Sequence, residues 1–248
     1  MISARPTPGF AFSHPAHAIA LGLPAAEEDW LAQFSAGLFA LAERFGVELI
    51  GGDTTRSPVR TISIVALGEV PAGVALYRSG ARAGDDIWVS GELGGAALAL
   101  RRPEIAAAAH RLHEPEPRVE LGERLRGVAH AAIDVSDGLA GDLGHILERS
   151  RVGALVDYAR IPRAAAFAGI GDAELERACV LSGGDDYELV FTAAADERRA
   201  LEALGRELGL ALTRIGTIEA GAPRLVVRDE RGVPMSYRGG YDHFSGSA

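Results

Sequence analysis

Lysine is absent from this 248-residue chain, so all 25 basic residues are arginine. A Walker-A phosphate loop needs its lysine, and a Schiff base needs an amine, so both chemistries are excluded. Asparagine is missing too, which removes the protein-kinase catalytic loop and every N-glycosylation acceptor. One cysteine, Cys179, permits neither an internal disulfide framework nor a multi-cysteine metal site. No apolar run approaches the ~18 residues of a membrane span. The opening residues do not read as a secretory leader, so the expected compartment is the cytoplasm. Positive charge is also scarce: the net charge is −9, which does not suit nucleic-acid binding. An anionic substrate would require metal ions and well-placed arginines to offset that field.

With 48% hydrophobic and 24% charged residues, the chain can form one large domain or two modest ones. Pro6, Pro8, Pro15 and Pro24 punctuate an irregular start in which Ala18–Leu21 reads as a short strand. Apolar residues at three- and four-residue spacing (Trp30, Leu31, Phe34, Leu38, Leu41, Phe45) predict a helix from Ala25 to Phe45, stopped by Gly46. Strands are expected at Val47–Ile50 and Thr61–Val70, and Pro71-Ala72-Gly73 is the best linker. Beyond it, strands are expected at 86–90, 131–134, 152–158, 187–192, 210–218 and 224–228, and helices at 94–101, 117–127, 137–149 and 196–208. Glu230-Arg231-Gly232 reads as a turn. This alternation argues for a mixed α/β fold, with domains at 1–73 and 74–248.

The sharpest constellation is Asp134-Val135-Ser136-Asp137-Gly138-Leu139. Two carboxylates three apart at a strand-to-helix junction offer hard oxygen ligands of the kind Mg2+ takes alongside water and phosphate. The Ser136 hydroxyl and the first N–H groups of the helix suit phosphate. The hexapeptide also admits a plainer reading, in which Asp137 only caps the helix. Gly51-Gly52-Asp53-Thr54-Thr55 repeats the logic, although Gly-Gly-Asp is common turn chemistry as well. Gly183-Gly184-Asp185-Asp186-Tyr187-Glu188 holds three carboxylates that are costly to bury unpaired, so a wet cleft or solvated loop is expected. Gly91-Glu92-Leu93-Gly94-Gly95-Ala96 departs from G-x-G-x-x-G and reads as a tight turn. The scattered histidines form no ligand set, and Cys179 reads as a buried thiol.

In order, Leu49–Arg56, Arg78–Ala81, Ile133–Leu139 with Asp142–Ile146, Ser182–Glu188 and Gly240-Tyr241-Asp242-His243-Phe244 resemble the thiamine-monophosphate kinase family of the aminoimidazole ribonucleotide synthetase-like superfamily. The resemblance runs from about Leu21 to Phe244. It implies a two-domain chain whose N-terminal domain binds ATP and pairs across a homodimer. The implied reaction moves the ATP γ-phosphoryl group to thiamine monophosphate, giving thiamine diphosphate and ADP. Asp53, Asp134 and Asp137 would hold Mg2+; Gly52, Asp53, Arg78 and Ser136 would contact ATP; Asp185 and Tyr241 would contact the thiamine moiety.

The resemblance also carries departures. Family members begin with a stretch, including an aspartate-rich glycine loop, that nothing here matches, which implies a truncated N-terminal domain. Aspartate stands at 185 where the family usually has glutamate. The alternative is a relative that binds nucleotide, or pairs with a full-length partner, without turnover.

Overall fold

A computed structural model describes residues 15–237 and 239. The chain divides into two compact units, Met1–Gly73 and Val74–Ala248.

The first unit is a three-stranded sheet ordered β2-β1-β3. Strand β1 (Ala16–Leu23) leads into helix α1 (Glu28–Arg44), which returns the chain to β2 (Glu48–Arg56), parallel to β1; β3 (Thr61–Leu67) pairs antiparallel on the other side. The glycine pair expected in a turn lies inside β2. At Gly52 a Cβ would collide with the Ile19 carbonyl of β1, so the close approach is to a neighbouring strand. Helix α1 forms within the span that its apolar spacing predicts. Its apolar face stacks Trp30 on Phe34 at 5.1 Å, yet none of its residues is buried.

The second unit is a six-stranded sheet ordered β5-β7-β4-β8-β6-β9, with β4 (Asp86–Ser90), β5 (Ala129–Asp134), β6 (Gly153–Asp157), β7 (Leu189–Ala193), β8 (Leu212–Glu219) and β9 (Leu225–Arg228). Neighbours are antiparallel except for β6 and β9. Both faces are covered. Ile87 and Val89 join residues of α2 (Gly95–Arg101), α5 (Leu139–Ser150) and α6 (Ala173–Ser182) in one core. Trp88 turns to the other face and stacks on Phe191 at 6.5 Å, with Leu121 of α4 (Val119–Arg124) and Leu201 and Leu204 of α7 (Arg198–Leu208). A central strand covered on both sides reads as a continuous apolar run, which is why Asp86–Ser90 was legible. Helix α3 (Ala106–His113) packs beside α2.

Buried charge in this unit is paired. Asp86, fully buried, accepts from Arg198 and from Arg214 Nε at 2.5 Å. Burial pushes its carboxyl up, but the two arginines win and hold it below the usual range. The Glu230-Arg231-Gly232 turn forms as expected, with Arg231 and Val233 N–H both donating to Asp229 Oδ1 at 2.9 Å. Among the described residues no helix is long and apolar enough to cross a membrane.

Candidate active site

Strand β5 ends at exposed Asp134. The next residue, Val135, is buried and donates its N–H to the Glu188 carbonyl at 2.8 Å. The chain then turns sharply into α5. Ser136 and Asp137 N–H both donate to Asp142 Oδ2 at 3.0 Å. Gly138 (φ 109) passes so close to the Ser182 backbone that a Cβ would lie 2.8 Å from its carbonyl carbon. Gly138 occupies the N-cap position, so Asp137 is not the helix cap. Asp142, one turn into the helix, does the tethering. Its carboxyl is pushed up by burial, and the negative charges of Asp137 and Asp134 add to this against the two N–H donors.

The segment 183–188 runs alongside. Asp185 N–H donates to the Ser136 carbonyl at 3.0 Å and Tyr187 N–H to the Val135 carbonyl at 2.9 Å. Gly184 is required because a Cβ there would strike the Ser136 carbonyl. The expected solvated loop is therefore only partly correct. Asp185 is half-buried and Tyr187 exposed, but Asp186 and Glu188 are buried with partners. Glu188 accepts from Ser90 Oγ (2.6 Å), Arg111 Nη2 (2.8 Å), and Arg118 Nε (2.7 Å) and Nη2 (2.6 Å). Burial pushes its carboxyl up, yet these donors hold it below its ordinary value. In the 91–96 turn, Gly91 leaves the space that the Glu188 carboxylate fills.

These two segments and α2 enclose a cavity of about 340 Å3, lined by Ala97, Leu100, Arg101, Ser136, Asp137 and Ser182 to Asp185. Arg101 and Ser182 also line an adjoining cavity of about 490 Å3 that includes Arg177 and Tyr237. The Tyr187 hydroxyl donates to Asp185 Oδ1 at 3.4 Å. Its pKa is raised by burial and by the charges of Asp185, Asp134 and Asp137, so these carboxylates act on one region.

The structure therefore brings Asp134, Ser136, Asp137 and Asp185 together. Arg78 lies along the edge of β5, where Ala132 N–H donates to the adjacent Tyr77 carbonyl at 3.0 Å. Gly52 and Asp53 belong to the first unit; Asp53 is exposed, and its Oδ1 accepts from Thr54 N–H at 2.8 Å. Tyr241 lies outside the described residues. Among the described residues no three His, Cys, Asp or Glu side chains gather closely enough to hold a metal ion. Two oxygen-donor carboxylates open to solvent nonetheless fit Mg2+, which completes its shell with water and phosphate oxygens. Asp142 and Asp186 stand within motifs that the sequence singles out, but their tethering roles are not legible in it. Their pairing with backbone N–H groups leaves no spacing pattern to read.

Residues 14–70 match the family described as AIR synthase related protein, N-terminal domain, and residues 82–228 match AIR synthase related protein, C-terminal domain. Thiamine-monophosphate kinase of Salmonella typhimurium is 42% identical over 238 residues, covering 92% of this chain and 73% of that protein. The crystal structure of thiamine-monophosphate kinase from Stenotrophomonas maltophilia is 48% identical, with a TM-score of 0.82 over 90% of this chain and 73% of that one. AaThiL complexed with AMPPCP and TMP is 28% identical, with a TM-score of 0.78 over 93% and 74%. With both domain families matched and such relatives aligned over nine-tenths of its length, the chain belongs to the thiamine-monophosphate kinase family.

Proposed function

We propose that the chain transfers the γ-phosphoryl group of ATP to thiamine monophosphate. The bond from the γ-phosphorus to its bridging oxygen breaks, a phosphate oxygen of the acceptor bonds to that phosphorus, and ADP leaves. The observation that carries this reading is the convergence of Ser136, Asp137 and Asp185 on one cavity, with Asp134 at the end of the strand that leads into it, in a chain 42% identical to a relative of that name.

The acceptor oxygen is already anionic near neutral pH, so no strong general base is needed. The barrier lies in bringing two polyanions together in line, which is a matter of positioning and charge. Asp134 and Asp137, with Asp53, are the proposed Mg2+ ligands; bound Mg2+ would offset the phosphate charge. Ser136, Gly52, Asp53 and Arg78 are the proposed ATP contacts. The Asp142 tether keeps the Ser136 and Asp137 backbone in place without entering the cavity. Asp185 would attract the thiazolium cation, and Tyr241 would stack on a ring. Residues 1–73 are assigned to ATP binding and dimerisation, and 74–248 to the α/β domain that completes the site, in a cytoplasmic homodimer with no nucleic-acid partner.

The test is ADP formation from ATP, Mg2+ and thiamine monophosphate. Asp134→Asn and Asp137→Asn are each expected to lower turnover by about a hundredfold or more. Absence of turnover in the parent chain, or full activity in both variants, overturns the reading. One observation favours the alternative of binding without turnover: the first unit's strands β2 and β3 are exposed almost throughout, as an interaction subunit's would be. Calorimetry showing ATP binding by a chain that forms no ADP would select it.

A further inference from the structure

Two carboxylates shape the cavity wall from behind. Asp142 tethers the Ser136–Asp137 backbone. Asp186, only 2% exposed, does the corresponding work across the cavity: its Oδ2 accepts from Gly94 N–H at 2.6 Å and its Oδ1 from Ala96 N–H at 3.3 Å. It thereby ties the 183–188 segment to the first turn of α2, whose Ala97, Leu100 and Arg101 form the facing wall.

The backbone on either side of Asp186 is unusual. Asp185 (φ 66) and Tyr187 (φ 51) both lie in the left-handed region. Aspartate tolerates that region, but for tyrosine it is strained and must be held by the surroundings. Three attachments do so: Asp185 N–H to Ser136, Tyr187 N–H to Val135, and the Asp186 carboxylate to α2. The first two only fix the segment to β5's extension. The third sets its distance from the opposite wall and the direction in which the Asp185 side chain leaves the backbone.

We propose that Asp186 is a positioning residue that presents the Asp185 carboxylate to the cationic ring of the phosphoryl acceptor, and so sets affinity for the acceptor and not for the nucleotide. This rests on the function proposed above. The charged groups facing Asp186 are Arg111, which attracts it, and Glu188, which repels it; these two are already bonded to each other, and the Cys179 thiol of α6 lies beside them. Burial pushes the Asp186 carboxyl up to about 6, against the pull of its two N–H donors and Arg111. A protonated carboxyl loses the charge that strengthens both bonds.

Asp186→Asn keeps the shape but places an NH2 against one of the two backbone donors. At neutral pH the Kd of the full chain for thiamine monophosphate is expected to rise by about tenfold, with that for ATP and Mg2+ unchanged within about twofold. The unfolding midpoint should not fall, since the variant also removes a desolvated charge. At about pH 5, where the parent's own Asp186 is protonated, the ratio of the two Kd values should close towards unity; titration of the acceptor's phosphate affects both proteins and cancels. Equal losses for both ligands, a ratio that persists in acid, or a lowered midpoint overturns the proposal. If the parent chain binds ATP but not thiamine monophosphate, the functional reading fails by itself. Amide hydrogen exchange then decides: faster exchange confined to 183–188 and the first turn of α2 supports the positioning role, and unchanged exchange there overturns it.

Discussion

The two sheets of this chain are built from similar residues and reach opposite ends. In the second unit, β4 is buried at every position and the sheet carries helices on both faces. In the first, β3 places Ile62, Ile64, Val65 and Leu67 in solvent, and α1 buries nothing. Strand β1 nevertheless pairs with β2 from Ala16 to Leu23, with one shift after His17, and with β3 from Ala16 to Gly22. Strand pairing here is set by backbone hydrogen bonds and alternation, whereas burial depends on what else covers the face. An apolar strand in the sequence is thus evidence for a sheet and not yet for a core. Exposed apolar strands of this kind are surfaces to be covered or paired.

The contrast can be broken most directly by truncating one large side chain in each sheet. Phe191→Ala should cost about 3–5 kcal/mol in denaturant unfolding, and Ile64→Ala, at protein concentrations low enough to prevent association, under about 1 kcal/mol. Comparable losses would mean that the first sheet has a core after all.

A smaller effect concerns buried charge, which the second unit handles in two ways. Glu188 and Asp86 are held by arginines, below their ordinary values. Their stabilisation is present above the unfolded-state values and is lost as pH falls through the folded ones. Asp186 is held by backbone N–H groups and raised to about 6, so its contribution runs the other way: it is fullest below the unfolded-state value and declines as pH rises towards 6. Arg118→Met should therefore cost about 3 kcal/mol near neutral pH, and the penalty should shrink in acid, below the ordinary glutamate range, as Glu188 takes up a proton. Urea unfolding of both proteins across that range checks it; a penalty independent of pH would show that Arg118 acts by packing alone.

The smallest effect on stability is the most informative about the first unit. Val65→Lys should change unfolding by less than about 1 kcal/mol but, on the homodimer proposed above, shift sedimentation of the full chain from dimer towards monomer. An unchanged mass would remove the role assigned to this sheet in self-association.

Much of this architecture was legible. The two-residue alternation and apolar runs located β1, β4, β5 and the strands after them, and the apolar face of α5 (Leu139, Leu143, Ile146, Leu147) is buried as its spacing requires. The errors have physical causes. Gly51-Gly52 reads as a turn because glycine permits one, but at Gly52 it meets a packing demand set by Ile19, which is remote in sequence. The α1 stripe, by contrast, predicts its helix correctly and leaves open what covers it, since periodicity reports a face and not its cover. Helix α6 escaped notice even though Asp172 caps it, accepting from Leu175 N–H at 2.9 Å, because its apolar residues bunch at one end. In the site, Asp134, Ser136 and Asp137 were evident from a strand-to-helix junction. The burial of Asp186 and Glu188 was not, because their partners (Gly94, Ala96, Ser90, Arg111 and Arg118) are supplied by segments some 70 to 98 residues away.

The hollow at Gly91 has a consequence for how this protein can change over generations. The Glu188 carboxylate sits where any larger residue at 91 would place its first carbon, and two guanidinium groups depend on that carboxylate. Replacing the glycine would evict the acid and strand both cations; replacing the acid first would strand them as well. Gly91, Arg111, Arg118 and Glu188 therefore form a ratchet, in which each first step is harmful and a new arrangement is reached only by concerted replacement.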